Sequence, residues 1–223
     1  MTDVQTPPGE AQKKPAKKGN FWKELPILLG AAVVVALLVR TFVVQTFYVP
    51  SDSMEHTLNL NDRVLVNKLV YDFRDPRRGE VIVFTSPLDW REDPSQKDFV
   101  KRVIGVPGDH VVCCDGQGNL TINGVSLAEP YIQRTTETNQ ASPDTFDVTV
   151  PAGRLWVMGD NRPSSADSRY HFRISKGNLQ DSTIPISSVI GRAFVLFWPV
   201  GRATWLDVPD GFSKIPDPAP AKP

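Results

Sequence analysis

The sequence predicts a loop-rich β protein preceded by one membrane-spanning helix, on three observations. Twenty Pro and fifteen Gly stand among 223 residues that are 40% hydrophobic, which suits short strands joined by turns and excludes collagen-like, coiled-coil and disordered chains. Runs rich in branched and aromatic residues recur between turn signals, with no amphipathic helix among them. One stretch near the N-terminus, LPILLGAAVVVALLV from Leu25 to Val39, carries no charge. At about 150 residues per domain, the length allows one ordinary domain with additions, whose core needs no metal or disulfide.

Residues 1–24 hold Lys13, Lys14, Lys17, Lys18 and Lys23 among Pro, Gly, Gln and Thr, too little apolar surface to fold, and form a basic tail. The anchor is expected over 25–44, because the uncharged run resumes after Arg40 as TFVV and about twenty such residues span ~30 Å as a helix. Pro26 suits a first helical turn, Phe21 and Trp22 suit one interface, and Arg40 can snorkel at the other. A core helix or a cleavable leader would have the same apolar run. Cleavage, however, wants a small-x-small pattern where Arg40-Thr41-Phe42-Val43-Val44-Gln45 follows. The flanking lysines keep the tail inside and send the remainder across.

The domain is expected over 45–209, with strands at 63–71, 80–84, 99–106, 110–114, 119–122, 146–150, 154–158 and 189–198. Asp75-Pro76, Pro107-Gly108-Asp109, Asp115-Gly116 and Pro151-Ala152-Gly153 supply turns, and Asn123-Gly124 is a strong tight-turn signal. The polar stretch 133–145 reads as a mobile loop, 210–223 as a Pro-rich C-terminal tail beyond the domain, and its end, Ile215–Pro223, as disordered.

Lys+Arg and Asp+Glu are 25 each, so the formal net charge is zero and no nucleic-acid partner is expected. The two cysteines, Cys113 and Cys114, are adjacent, which excludes a disulfide scaffold and CxxC metal or redox spacings. Three states stay open for them: buried small apolar residues, reduced surface thiols, or a vicinal disulfide.

Two serines follow a proline just after the anchor, in Val49-Pro50-Ser51-Asp52-Ser53-Met54. A serine hydroxyl attacks only when a base removes its proton, and neither His56, His110 nor His171 completes a recognisable Ser-His-Asp motif. Lysine can serve instead where apolar surroundings disfavour its charge. Lys101 lies in Asp98-Phe99-Val100-Lys101-Arg102-Val103-Ile104, where strand alternation turns Arg102 to the opposite face. On the strand alone, an ordinary solvated lysine is the favoured reading, because alternation sets a side and not its burial.

Taken together, Val49–Met54, Lys101-Arg102-Val103-Ile104-Gly105-Val106-Pro107-Gly108-Asp109 and Gly159-Asp160-Asn161-Arg162-Pro163-Ser164-Ser165-Ala166-Asp167-Ser168-Arg169 closely resemble bacterial signal peptidase I. The likeness extends to Asn61–Lys68 and Gly191-Arg192-Ala193, and covers about 41–198. It implies a mostly β fold: an antiparallel β-sheet catalytic domain with an inserted non-catalytic β subdomain at about 107–157. It also implies a serine endopeptidase of the bacterial cytoplasmic membrane that removes signal peptides from exported preproteins, with the lipid bilayer as its other partner and no metal or cofactor. Ser53 matches the nucleophile, Lys101 the general base, and Ser51 the oxyanion-hole hydroxyl, completed by the Ser53 N–H. Ser165 matches the residue that orients the lysine, with Arg102, Asp160, Asp167 and Arg169 in supporting ion pairs. An extended substrate points alternate side chains into the enzyme, and Val49, Met54, Leu58, Phe99 and Val100 are expected to narrow the pockets to small residues. His56 stands where the family usually has Pro, and Pro163-Ser164 where it usually has Asp-Asn. The rival readings are a dedicated or self-processing Ser–Lys protease of the same fold, and an anchored peptide-binding β domain.

Overall fold

The structure is a computed structural model that describes residues 21–38, 43–135 and 139–218. The chain divides into two units, Met1–Val39 and Arg40–Pro223. In the first, helix α1 (Phe21–Leu38) carries Pro26 near its start and exposes Ile27, Leu28 and Leu29. Among the described residues no helix is long and apolar enough to cross a membrane. The basic tail up to residue 20 and positions 39–42 of the expected anchor lie outside the described residues. The anchor's expected end at residue 44 is corrected: Val44 opens a strand and pairs with Asn67. Apolar content alone could not separate the end of a helix from the start of a strand, and the branched and aromatic VQTFY favours the latter.

The second unit holds strands β1 (Val44–Tyr48), β2 (Arg63–Asn67), β3 (Val81–Thr85), β4 (Asp98–Gly105), β5 (His110–Cys113), β6 (Leu120–Ile122), β7 (Val125–Ser126), β8 (Phe146–Thr149), β9 (Arg154–Met158), β10 (Ile184–Pro185), β11 (Val189–Trp198) and β12 (Thr204–Trp205). Eight form a large antiparallel sheet in the order β1-β2-β11-β3-β4-β9-β10, with β12 on β11. The other four form a small sheet, β7-β6-β5-β8. All eight expected strands are present, and the short β7, β10 and β12 escaped notice because two residues show no alternation. At Asn123-Gly124 both residues take positive φ (50° and 80°), the twist that a two-residue hairpin between β6 and β7 requires.

The small sheet is inserted between β4 and β9, which are neighbours in the large sheet. The insertion therefore closes before Arg154 and not at 157, because β9 carries Val157 opposite Val103 of β4. Both faces of the large sheet are covered: Val81 and Val83 of β3 enter a core with Val49, Met54 and Leu58, whereas Ile82 and Phe84 enter another with Trp90 and Val157. This is why β3 is apolar from Val81 to Phe84 instead of alternating.

Three expectations are overturned. The stretch 133–145 is pinned at both ends: Gln133 N–H donates to Asp160 O at 2.9 Å, and Ala141 and Ser142 are buried, with 136–138 outside the description. The tail from 210 packs at its start, since Phe212 and Ile215 enter the core beneath the small sheet with Trp156 and Ile104. Short helices α2 (Val70–Phe73), α3 (Ser168–Ile174) and α4 (Leu179–Ser182) also stand among the strands. With seven residues at most, they are too short to show a helical period. Cys113 and Cys114 form a vicinal disulfide, the third of the three states left open.

Candidate active site

After β1, Val49 N–H donates to Asp62 O at 2.9 Å, and the turn follows Pro50. Glu55 N–H donates to Asp52 O at 2.8 Å and Leu58 N–H to Met54 O at 2.7 Å, closing a turn that lifts Ser53. Met54 and Leu58 are buried beneath it, fixing the turn by burial of both its apolar side chains. His56 sits at φ +83°, a backbone that a proline ring, locked near −65°, cannot adopt. Thr57 Oγ1 donates to Asp160 Oδ2 at 2.5 Å and ties the turn to the loop that follows β9.

Lys101 comes from β4, opposite Ile82. It is 4% exposed, and its Nζ lies 2.5 Å from Ser53 Oγ. Burial pushes the amine down to about 8, with Arg169 adding to the effect, while Asp167, Asp160 and Asp52 oppose it. The Phe99 ring centroid lies 5.8 Å from Nζ. Asp109 is engaged by Arg78 through two 2.6 Å hydrogen bonds. Ser51 Oγ stands 3.2 Å from Ser53 Oγ.

The loop 159–169 closes the site from the far side. Arg102, on the opposite face of β4 from Lys101, grips Asp160 through Nε (2.9 Å) and Nη2 (2.6 Å). Its guanidinium also lies 4.3 Å from the centre of the Tyr131 ring. Asp167 caps α3, accepts from Gly159 N–H at 2.9 Å, and pairs with Arg169 at 2.6 Å. All four expected ion-pair residues are buried and paired. Ser165 makes no hydrogen bond to Lys101; its Oγ is buried without a partner among the described residues, against the bare Cα of Gly159.

Val49, Met54, Phe99 and Val100 line a cleft of about 310 Å³ together with Ser51, Ser53, Lys101, Trp90, Ser164 and Ala166. Leu58 does not reach it and packs behind Met54 in the core. Among the described residues no histidine hydrogen-bonds to Ser53, whose Oγ meets Ser51 and Lys101. His56 is exposed, His110 pairs with Asp147, and His171 is buried against Trp90 with its rings stacked at 4.2 Å, burial pushing its imidazole down to about 4. Among the described residues no group of three or more His, Cys, Asp or Glu could hold a metal ion.

Several site residues escaped the sequence. Asn161 and Arg162 stand inside the quoted motif without an assigned role, whereas Glu129, which binds Arg162 at 2.5 Å in a fully buried pair, carries no local signal. Ser164 Oγ reaches the Asp52 carboxylate at 2.8 Å. Trp90, held by its Nε1–H on Asp181 O at 2.8 Å, forms a wall of the cleft from the loop between β3 and β4.

A serine hydroxyl against a buried lysine amine, in a cleft of mixed polar and apolar lining on an antiparallel sheet, is an arrangement able to serve a serine hydrolase. Comparison with known proteins narrows the class. The family described as signal peptidase, peptidase S26, matches residues 22–198, and the chain belongs to it. Among its relatives, the probable signal peptidase I-2 of Synechocystis sp. is 41% identical over 196 residues, covering 86% of this chain and 80% of that protein. Signal peptidase I of Leptolyngbya laminosa is 39% identical over 93% of this chain and 95% of its own. Signal peptidase I of Mycobacterium tuberculosis is 36% identical over 86% and 77%. A crystal structure of a signal peptidase I from Enterococcus faecalis, 31% identical, covers 53% of this chain and 97% of that one with a TM-score of 0.40, too low to bear on the fold.

Proposed function

We propose that this chain is a membrane-anchored serine endopeptidase that removes signal peptides from exported preproteins after small-x-small sites, with Ser53 as nucleophile and Lys101 as base. The observation that carries the reading is the 2.5 Å approach of a buried lysine amine to a serine hydroxyl at the cleft floor. The neutral amine takes the Ser53 proton as Oγ attacks the scissile carbonyl. Negative charge then develops on the carbonyl oxygen, where the Ser51 hydroxyl and Ser53 N–H donate. The lysine ammonium returns its proton to the departing amine, leaving an acyl-enzyme. Water, activated by the same amine, releases the signal peptide and restores Ser53.

Ser165 is assigned the role of orienting the amine, a reading supported by its buried Oγ, which has no hydrogen-bond partner among the described residues. Residues 98–101 of β4 pair with β3, and pairing with β9 begins only at Arg102, so an extended substrate can lie along the remaining edge. Val49, Met54, Phe99 and Val100 then leave room for small side chains at alternate positions. Anchoring by the 25–42 segment, with the lysine tail inside, holds the cleft at the surface from which tethered preproteins emerge. Purified protein and Ser53→Ala are incubated with a preprotein and the products read by mass spectrometry. Cleavage after a small-x-small site by the wild type alone is expected; cleavage by both, or after bulky residues, overturns the reading.

A further inference from the structure

The loop carrying Asn161 meets the nucleophile turn at two consecutive peptide units. Asn161 N–H donates to Ser53 O at 3.1 Å, and its side-chain Nδ2 donates to Asp52 O, also at 3.1 Å. Asn161 is 3% exposed, and the bond to Asp52 O is part-buried because Asp52 itself is exposed. The second bond matters for the reaction. Asp52 C=O and Ser53 N–H belong to one planar trans peptide unit and point in opposite directions. Whatever fixes the carbonyl therefore aims the N–H. Among the described residues no acceptor in the chain engages that N–H, which leaves it for an incoming oxygen.

We propose that Asn161 is a positioning residue that aims the Ser53 N–H at the developing oxyanion by holding Asp52 O from behind. The inference rests on the assignment of Ser53 N–H to the oxyanion hole made above. Asp52 O is held from its own turn as well, by Glu55 N–H at 2.8 Å. That bond sets the turn but swings with it; Asn161 ties the carbonyl to a separate element, whose own frame is the Arg102–Asp160 pair and the Glu129–Arg162 pair. Losing Nδ2 thus leaves the donor present and misaimed. A misplacement of this kind costs ~10–100-fold in turnover, less than deleting a donor outright.

The test compares wild type, Asn161→Ala and Ser53→Ala, folded by circular dichroism, in preprotein cleavage and in binding of a peptide aldehyde whose hemiacetal carries the oxyanion. Asn161→Ala is expected to lower kcat by ~10–100-fold with KM within about twofold, and to weaken the aldehyde by the same factor as kcat. Affinity for the cleaved signal peptide, which forms no oxyanion, stays level, and the pH midpoint of the alkaline-going limb does not move. General loosening of the site would shift KM and that midpoint as well. Asn161→Ser, too short to reach Asp52 O, is read in the same way if the alanine variant is unfolded. Wild-type kcat and aldehyde affinity in either folded variant, with Ser53→Ala inactive, overturns the role of Asn161 alone; cleavage by Ser53→Ala overturns the reading beneath it.

Discussion

Gly159 offers a perturbation whose size can be read from distances. A Cβ built there falls 2.3 Å from Ser53 O and 2.3 Å from Ser165 Oγ. Even a tight contact requires 3.0 Å, so the backbone carbonyl of the nucleophile must retreat by at least 3.0 − 2.3 = 0.7 Å, or the strand end must. Ser165 can rotate away; Ser53 O cannot, because Asn161 N–H holds it and its own Oγ sits 2.5 Å from Lys101. Gly159→Ala therefore strains the site along the Ser53–Lys101 line. Overpacking of this kind costs ~1–3 kcal/mol. In a domain of this size that lowers Tm by roughly 2–4 °C per kcal/mol. A shift approaching 1 Å at the nucleophile removes ~10²-fold in turnover. Thermal melts and preprotein cleavage on the same samples measure both. A Gly159→Ala protein with wild-type Tm and turnover would refute the reasoning, since no rotation of Ser165 relieves the carbonyl contact.

Ser51→Ala removes one oxyanion donor and should lower kcat by ~10²–10³ with KM little changed; steady-state kinetics with unchanged turnover would show that the hydroxyl points elsewhere. The rate should climb with pH through a midpoint near 8, because burial lowers the Lys101 amine to about that value and only its neutral form accepts the Ser53 proton. Stability should follow the same sign: the folded value lies below the unfolded ~10.4, so the unfolded chain binds the extra proton between the two and stability rises across that window, read by melts at a series of pH values. In intact spheroplasts added protease should digest the domain beyond Val44, and protection of that domain with an accessible lysine tail would reverse the topology.

The strands were legible because branched and aromatic runs bounded by Pro-Gly and Asn-Gly turns leave little choice of local structure. The ion-pair partners were named only through the family motif; spacing alone offered no reason to join Arg102 to Asp160 across 58 positions. Glu129 was invisible for the same reason, since a buried acid is defined by a partner the fold supplies. Leu58 was misplaced from cleft to core because a turn's apolar residues look alike until one is seen behind another. The stretch 133–145 misled through its polarity: the Gln133 backbone bonds to the 159–162 segment and the Arg134 guanidinium to Asn119. Phe212 and Ile215 were hidden by the prolines around them, although two apolar side chains suffice to dock a tail.

The central claim is that Lys101 removes the Ser53 proton, and Lys101→Arg tests it most directly. Arginine keeps the positive charge and much of the stem but cannot lose its proton in the working range. Cleavage of a preprotein by the purified, folded variant is the measurement. No measurable product is predicted at any pH at which the wild type works. Near-normal cleavage by a folded Lys101→Arg protein would contradict the account and return attention to His56.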